Sequence, residues 1–238
     1  MPRVVRIALA TTSMYVATDL FVFAVLPAAI LVSFIDRERI PSLKQWFVRC
    51  LFAIVGKDLK VSGYTNVQAH QQYVIISNYP SFYAGFALMG TFPQASVVAN
   101  AFVKKVPLVG QMLRRLGTVF VRPGRGGEGM RALDLGVSEL AAPSSMIILP
   151  EGARTPDGSI QRFRRGFIHI LRQTSLDLLP VTLNGLYQLK PMRRLYADPA
   201  AQPELIIHPP LSNSDARKMS DDELLTMAKT VIGNAYRP

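Results

Sequence analysis

The sequence is poor in the residue types that form disulfides and metal sites. Its 238 residues include one cysteine, Cys50, and three scattered histidines, His70, His169 and His208. A single cysteine excludes an intramolecular disulfide and any zinc or iron–sulfur site built from several cysteines. The histidines form no H-E-x-x-H pair, so a zinc-protease site has no support. We therefore expect neither a metal nor a cofactor.

Acidic residues are also few. The chain has 16 Asp and Glu against 27 Lys and Arg, a net charge of +11, while 49% of its residues are hydrophobic. This composition argues against intrinsic disorder. A basic surface attracts nucleic acid, anionic lipid or phosphorylated small molecules. The apolar excess favours lipid, so we expect an anionic membrane as a partner and no nucleic acid.

A long apolar stretch near the N-terminus, from Ile7 to Ile35, contains a single charged residue, Asp19. About 20 apolar residues suffice to cross a bilayer. Because Asp19 and Pro27 interrupt the stretch, we expect a kinked span or a hairpin that enters one leaflet and returns; a buried core helix is the alternative. Lys44–Val55 predicts a second helix, either at the bilayer surface or facing the core. We assign residues 1–56 to a membrane anchor with this interfacial helix.

Residues 57–238 predict one α/β domain with a mostly parallel sheet flanked by helices, because short β-rich runs alternate with helical ones. The predicted strands are Leu59–Ser62, Tyr73–Ser77, Ser96–Ala99, Thr118–Arg122, Met146–Leu149, Leu178–Leu183 and Glu204–His208. The predicted helices are Ser81–Gly90, Val106–Leu116, Gly129–Leu140, Phe167–Gln173 and a last one that Ser220 and Glu223 open as a capping box. Ligands of such sheets bind at the carboxyl ends of the strands.

Two loops that follow predicted strands are candidate binding sites. The segment Leu149–Gly158 has an acidic and a basic side chain close together, and Arg162, Arg164 and Arg165 follow it. Because arginine binds phosphate in a bidentate way, this pattern favours an anion site. Gly124–Gly129 matches the dinucleotide pattern G-x-G-x-x-G. Pro123 and Arg125 are unusual in that tight turn, so we do not favour a dinucleotide site, and one RGG-like copy is no evidence for RNA binding.

These motifs together resemble the bacterial 1-acylglycerol-3-phosphate acyltransferase family and its glycerolipid acyltransferase relatives, over roughly Lys57 to Gly185. The segment Leu149-Pro-Glu-Gly-Ala-Arg154 is similar to the F-P-E-G-T-R block of that family. Two further blocks of the family match. The second block corresponds to Lys104, Pro107, Gly110, Gly117 and Arg122, and the fourth corresponds to Leu179-Pro-Val181 with Gly185 behind it.

The resemblance implies a membrane enzyme of phospholipid biosynthesis, at the cytoplasmic side of a bacterial inner membrane. Such an enzyme moves a fatty acyl group from acyl-CoA or an acyl carrier protein thioester to a lysophospholipid, giving phosphatidate from lysophosphatidate. It also implies that the substrate-binding residues are Lys105, Arg122, Glu151, Gly152 and Arg154.

One block of this chain departs from the family. The family pattern N-H-x-S-x-x-D supplies a histidine as general base and an aspartate that orients it. Here the block reads Asn78-Tyr-Pro-Ser-Phe-Tyr-Ala84, so Asn78 and Ser81 remain while Tyr79 and Ala84 stand at the two chemical positions. A tyrosine with a pKa near 10 is a poor base at neutral pH, and alanine orients nothing. We therefore expect lipid binding with impaired catalysis.

Two alternatives stay open on the sequence. The chain is a non-catalytic lipid-binding or regulatory protein, or it is an acyltransferase with an altered acceptor and another base, for which His169 is the candidate. Ser81 as a nucleophile is disfavoured because no base is visible near it. We expect His70 and His208 to be structural, and Cys50 to be a buried hydrophobe near the membrane.

Overall fold

The computed structural model describes residues 3–20, 38–106, 109–121, 131, 133–134, 144–193 and 196–238. Its strands are β1 (Lys60–Ser62), β2 (Tyr73–Ser77), β3 (Ser96–Asn100), β4 (Val119–Val121), β5 (Met146–Ile148), β6 (Asp177–Asn184) and β7 (Glu204–Ile207). They form one seven-stranded sheet in the order β1-β7-β6-β2-β5-β3-β4. The β6–β7 pair is antiparallel and the other pairs are parallel, which confirms the predicted α/β class.

Helices cover the sheet on both faces. They are α1 (Arg3–Leu20), α2 (Ile40–Ile54), α3 (Tyr83–Thr91), α4 (Val109–Arg115), α5 (Gly166–Gln173), α6 (Leu186–Leu189), α7 (Asn213–Lys218) and α8 (Asp221–Ala235). Short 3₁₀ helices cover Tyr64–Asn66 and Ala101–Lys105. The predicted capping box of α8 is confirmed, since Ser220 and Glu223 each accept the other's backbone N–H. The predicted helix Gly129–Leu140 lies mostly outside the described residues.

Alternation along the strands divides the interior into two apolar layers, because successive side chains of a strand point to opposite faces. Tyr73 and Ile75 of β2 face a first layer, which α2, α3 and α6 cover. Val74 and Ile76 face a second layer, which α5, α7 and α8 cover. Both faces of β2 are therefore buried, as its unbroken apolar sequence requires.

The parallel strands β2, β3, β4, β5 and β6 all end on one side of the sheet, which we call its carboxyl end. The loops that leave these strands are therefore neighbours in space, although they are far apart along the chain. Neighbouring strands lie about 4.8 Å apart. This end of the sheet is where the sequence motifs come together.

The structure describes only part of the N-terminal region. Among the described residues, no helix combines the length and the apolar character that crossing a membrane needs. Residues 21–35 of the predicted apolar stretch lie outside the described residues. Helix α2 packs into the first layer through Phe47, Val48, Leu51 and Phe52, all buried, so it belongs to the core of the α/β domain. Its Trp46 points outward and is 49% exposed.

Candidate active site

One side chain fastens the turn after β2 to the neighbouring strand β6. The buried Asn78 amide donates to the Leu183 carbonyl at 2.9 Å, and its side-chain oxygen accepts the Leu183 N–H at 2.8 Å. These two bonds continue the pairing of β2 with β6 one residue past the end of β2. Asn78 thereby fixes the point at which Tyr79 leaves the sheet.

The Glu151 carboxylate ties three loop segments together. Its two oxygens accept the backbone N–H groups of Tyr79 at 2.7 Å and of Gln161 at 2.9 Å. The Thr155 N–H in turn donates to the Tyr79 carbonyl at 3.0 Å. Burial raises the pKa of Glu151, while both N–H donors and the charge of Lys229 act in the opposite direction. The Glu151 carboxylate thus holds the loops around Tyr79 in place.

The Tyr79 side chain packs against the first apolar layer, and its hydroxyl lies within the electrostatic reach of Arg154. Burial raises the pKa of this phenol above its ordinary value, and the Arg154 charge only partly offsets the effect. At neutral pH the hydroxyl is therefore protonated and can donate a hydrogen bond. It cannot accept a proton in the way that a histidine does.

Ser81 and Ala84 occupy structural positions at the start of α3. The buried Ser81 hydroxyl oxygen accepts the Tyr83 N–H at 3.2 Å, and the Ser81 carbonyl accepts the Ala84 N–H at 3.1 Å. Ala84 itself has no exposed surface and is part of the first apolar layer. The surroundings of Ala84 are thus apolar and closely packed.

The loop after β5 has a conformation that only glycine adopts easily at Gly152. This residue has φ +71°, and a Cβ atom there would lie 2.9 Å from the Arg164 Nε atom. Gly152 therefore lets the Arg164 side chain lie against the loop. Of the predicted arginine cluster, Arg165 pairs with Asp222 at 2.6 Å. Arg154 is exposed and takes part in none of the salt bridges found among the described residues.

Asp157 makes the tip of the same loop rigid. Its carboxylate accepts the Ser159 hydroxyl at 2.7 Å, the Ser159 N–H at 2.9 Å and the Thr155 hydroxyl at 2.9 Å. Hydrogen bonds from Ser159 and Thr155 lower the pKa of Asp157 to about 2. The loop that carries Arg154 is therefore held in place by its own polar groups.

A second group of cations lies at the β3–β4 side of the carboxyl end. A cavity of about 510 Å³ is lined by Ala101, Lys104, Lys105, Arg114 and Phe120. Since β3 is two strands from β2, about 10 Å separates this cavity from the Tyr79 turn along the sheet. The predicted substrate residue Lys105 is thus part of a cationic cavity, while Arg122 lies outside the described residues.

The alternative base His169 lies on the other side of the sheet. It is part of α5, which packs in the second layer, and its Nε2 atom is 2.5 Å from an Asp134 carboxylate oxygen. Tyr79 packs in the first layer, so the sheet separates the two groups. His208 contacts the Thr182 hydroxyl at 2.8 Å. Cys50 is half-buried beside the first layer, and no metal-binding cluster occurs among the described residues.

One residue of this site was missed by the sequence analysis. Lys190 directly follows α6, and the Arg154 charge reaches it and lowers its pKa, although burial is the larger cause. The available signal was its place shortly after the predicted strand Leu178–Leu183. Because the one-turn helix α6 has no amphipathic pattern of its own, the direction of Lys190 could not be predicted.

Comparisons with known proteins agree with this geometry. A sequence model of the family described as Acyltransferase matches residues 58–184. The chain is 28% identical over 167 residues to the 1-acyl-sn-glycerol-3-phosphate acyltransferase of Saccharomyces cerevisiae, covering 66% of this chain and 54% of that protein. It is 26% identical over 146 residues to the human 1-acyl-sn-glycerol-3-phosphate acyltransferase beta, covering 60% and 52%. The chain thus spans about half the length of these relatives.

A solved structure has the same fold. The crystal structure of the 1-acyl-sn-glycerophosphate (LPA) acyltransferase from Thermotoga maritima superimposes with a TM-score of 0.82. The match covers 97% of this chain and 95% of the other, at 24% sequence identity. At that identity, the likeness establishes the arrangement of strands and helices.

Proposed function

Because the chain belongs to the acyltransferase family, we propose that it binds a lysophospholipid acceptor and an acyl thioester at the carboxyl end of its sheet. The acceptor is lysophosphatidate, and the donor is acyl-CoA or an acyl carrier protein thioester. In the reaction of this lineage, the acceptor hydroxyl oxygen attacks the thioester carbonyl carbon and the carbon–sulfur bond breaks. The hydroxyl proton ends on the released thiol, and phosphatidate is the product.

The observation that carries this proposal is the join between Tyr79 and the Glu151–Thr155 loop. Glu151 accepts the Tyr79 N–H and Thr155 donates to the Tyr79 carbonyl, so Arg154 is held close to the Tyr79 side chain. An exposed guanidinium on a rigid loop is well suited to bind a phosphate in a bidentate way. The cavity that contains Lys105 adds positive charge on the same side of the sheet.

We further propose that acyl transfer by this chain is impaired. A general base contributes about 10²–10⁴-fold to such a reaction. The buried phenol of Tyr79 has a raised pKa, and the buried methyl group of Ala84 offers no carboxylate. His169 is paired with Asp134 behind the sheet, which gives no support to its acting as a replacement base. Binding without efficient turnover is the function that these groups support.

We also propose that the α2–α3 surface rests on an anionic membrane. Two exposed aromatic side chains, Trp46 and Phe82, flank it and are 49% and 52% exposed. Between them, the Phe47 and Phe86 rings lie 5.6 Å apart, and the Phe82 and Phe86 rings lie 4.9 Å apart. Aromatic side chains favour the bilayer interface. Since Phe82 belongs to the same turn as Ser81, an acceptor's acyl chain would reach the site from this side.

Titration of a short-chain lysophosphatidate into the purified chain tests the binding proposal. We expect the native chain to bind and Arg154→Gln to weaken the affinity by about tenfold or more, because a charged hydrogen-bond donor is lost. Lys60→Gln is the matched control, since it removes an equal charge from an exposed position on the edge strand β1. No binding by the native chain, or equal affinity of the native and Arg154→Gln chains, would contradict the proposal.

A further inference from the structure

The end of helix α8 is attached to the carboxyl end of β6 by one side chain. The buried Asn184 amide group donates to the Ala235 carbonyl at 3.1 Å, and its side-chain oxygen accepts the Arg237 N–H at 2.8 Å. The Gly185 N–H adds a 3.4 Å bond to the Arg237 carbonyl. Asn184 thus holds the backbone on both sides of Tyr236, which directly follows α8, and fixes the point from which the Tyr236 side chain extends.

The Tyr236 hydroxyl reaches the loop that carries Arg154. It donates to the Gly158 carbonyl at 2.7 Å. Burial raises the pKa of Tyr236 well above its ordinary value, and the charges of Glu151 and Asp157 act in the same direction. The hydroxyl is therefore protonated at neutral pH and serves as a hydrogen-bond donor to this loop.

The bond to Gly158 is the first of a series that leads to the turn carrying Tyr79. The Gly158 N–H donates to the Thr155 hydroxyl oxygen at 3.0 Å. The Thr155 N–H donates to the Tyr79 carbonyl at 3.0 Å. Thr155 is buried and directly follows Arg154 in the sequence. Hydrogen bonds therefore connect the segment after α8 with the backbone next to Arg154 and with the turn after β2.

A second tyrosine contacts the same loop from another element. The Tyr187 hydroxyl on α6 donates to the Pro156 carbonyl at 3.3 Å. A Cβ atom on Gly158, which has φ +89°, would come within 2.9 Å of the Tyr187 ring, so a glycine is needed there. The bond from Tyr236 is the shorter of the two and has the length of a good O–H···O hydrogen bond. We therefore assign the main hold on the loop to Tyr236.

We propose that Tyr236 is a positioning residue of the acceptor site, whose hydroxyl fixes the 155–158 loop and thereby the direction of the Arg154 guanidinium. This inference rests on the proposed function, in which Arg154 binds the phosphate of the acceptor. Without the hydroxyl, the loop has to be ordered at the moment of binding, and this ordering lowers the affinity. Because Tyr236 acts through the loop, its effect on binding depends on the presence of Arg154.

A double-mutant cycle tests this dependence. Short-chain lysophosphatidate is titrated by calorimetry into the native chain, Tyr236→Phe, Arg154→Gln and the chain with both changes. Phenylalanine keeps the ring and removes only the hydroxyl. Tyr64→Phe is the matched control, because Tyr64 is exposed and follows β1, which runs opposite to β6 and ends at the other end of the sheet. The unfolding midpoint of every chain is measured alongside, so that each titration is made on folded protein.

We expect Tyr236→Phe to weaken lysophosphatidate binding about fivefold in the native background, because one hydrogen bond to the loop is lost. In the Arg154→Gln background, the same change weakens binding by less than about twofold. Tyr64→Phe keeps the native affinity.

Two results would overturn the inference and leave the proposed function standing. One is equal weakening by Tyr236→Phe in both backgrounds, which would assign Tyr236 a general role in stability. The other is an unchanged affinity of Tyr236→Phe while Arg154→Gln still weakens binding. Absence of lysophosphatidate binding by the native chain would overturn both the inference and the proposed function.

Discussion

At the scale of single residues, side chains as well as backbone hold the turn that carries Tyr79. Asn78 and Glu151 make the bonds that hold the turn after β2, and both are almost fully buried. In the proposed function, Tyr79 and Ala84 stand where the family has a base and its orienting carboxylate. We therefore expect the supporting bonds to be kept while the proton acceptor is missing.

Glu151→Gln tests the supporting role. An amide keeps one acceptor oxygen but turns an N–H₂ group toward a backbone N–H, so one of the two bonds to Tyr79 and Gln161 is lost. We expect the free energy of unfolding to fall by about 2 kcal/mol and acceptor affinity to fall with it. Denaturant unfolding measures the first effect and calorimetry the second. Glu204→Gln serves as control, because the Glu204 carboxylate accepts only a long 3.3 Å hydrogen bond from Asn184. An equal loss of stability in both variants would refute the supporting role of Glu151.

The buried ammonium of Lys44 makes stability depend on pH. Its Nζ donates to the Ala95 carbonyl at 3.0 Å, and burial lowers its pKa from 10.5 to about 8. The unfolded chain therefore binds this proton more tightly than the folded one, so stability rises as pH increases from about 8 to 10.5.

We expect Lys44→Met to remove this rise. We also expect little net change in stability at pH 7, because the loss of a buried charge is offset by the loss of the bond to the Ala95 carbonyl. Unfolding curves measured across pH 7 to 10.5 check both effects. A native chain whose stability does not change over this interval would contradict the assignment.

At the scale of elements, the site depends on the contact between α2 and α3. Gly90 of α3 lies so close to α2 that a Cβ atom there would meet Val48 carbon atoms at 2.7 Å. The helix that begins with the Tyr79–Ala84 turn is thus pressed against the helix that carries Trp46. Close packing here links the proposed membrane surface to the acceptor site.

Two glycines of the same helix provide a paired test of this contact. Gly90→Ala forces α2 and α3 apart, so we expect a loss of about 1–3 kcal/mol in the free energy of unfolding. Gly85→Ala meets no atom within 4 Å, so the better helix propensity of alanine is expected to add about 0.5–1 kcal/mol. Thermal unfolding of both variants measures these changes in stability. A stabilised Gly90→Ala chain would show that α2 and α3 do not pack as described.

The sequence predicted the elements better than their contacts. Each predicted strand has a counterpart in the sheet, because buried β-branched runs such as Tyr73–Ser77 have a strong local signal. Helix α5 begins one residue before its predicted start, and α8 has its capping box. The one-turn helix α6 has too few residues to show a period, so its contact with the 151–158 loop was not foreseen.

The packing of α2 was also left open by the sequence. An amphipathic helix with aromatic residues suits either a bilayer surface or a protein core, and the pattern alone does not distinguish them. In the structure its inner face completes the first apolar layer, while Trp46 remains outside. Similarly, the role of Glu151 could not be predicted from its motif, because its partners are backbone N–H groups of other loops.

At the scale of the whole molecule, parallel topology gathers positive charge at one end of the sheet. The net charge is +11, and cations from three loops come together there: Lys104 and Lys105 after β3, Arg154 after β5 and Lys190 after β6. Such a surface attracts anionic lipid and phosphorylated substrates at a distance. This distribution of charge agrees with the proposed binding of phosphate-bearing lipids.

Formation of phosphatidate tests the central claim most directly. The native chain and the Tyr79→His/Ala84→Asp double variant are placed in anionic liposomes with lysophosphatidate and with acyl-CoA or acyl carrier protein thioesters in turn. We predict that the double variant forms phosphatidate at least about 10²-fold faster than the native chain, because it regains a base and its orienting carboxylate. Robust synthesis by the native chain, or none by the double variant despite lipid binding, would contradict the account.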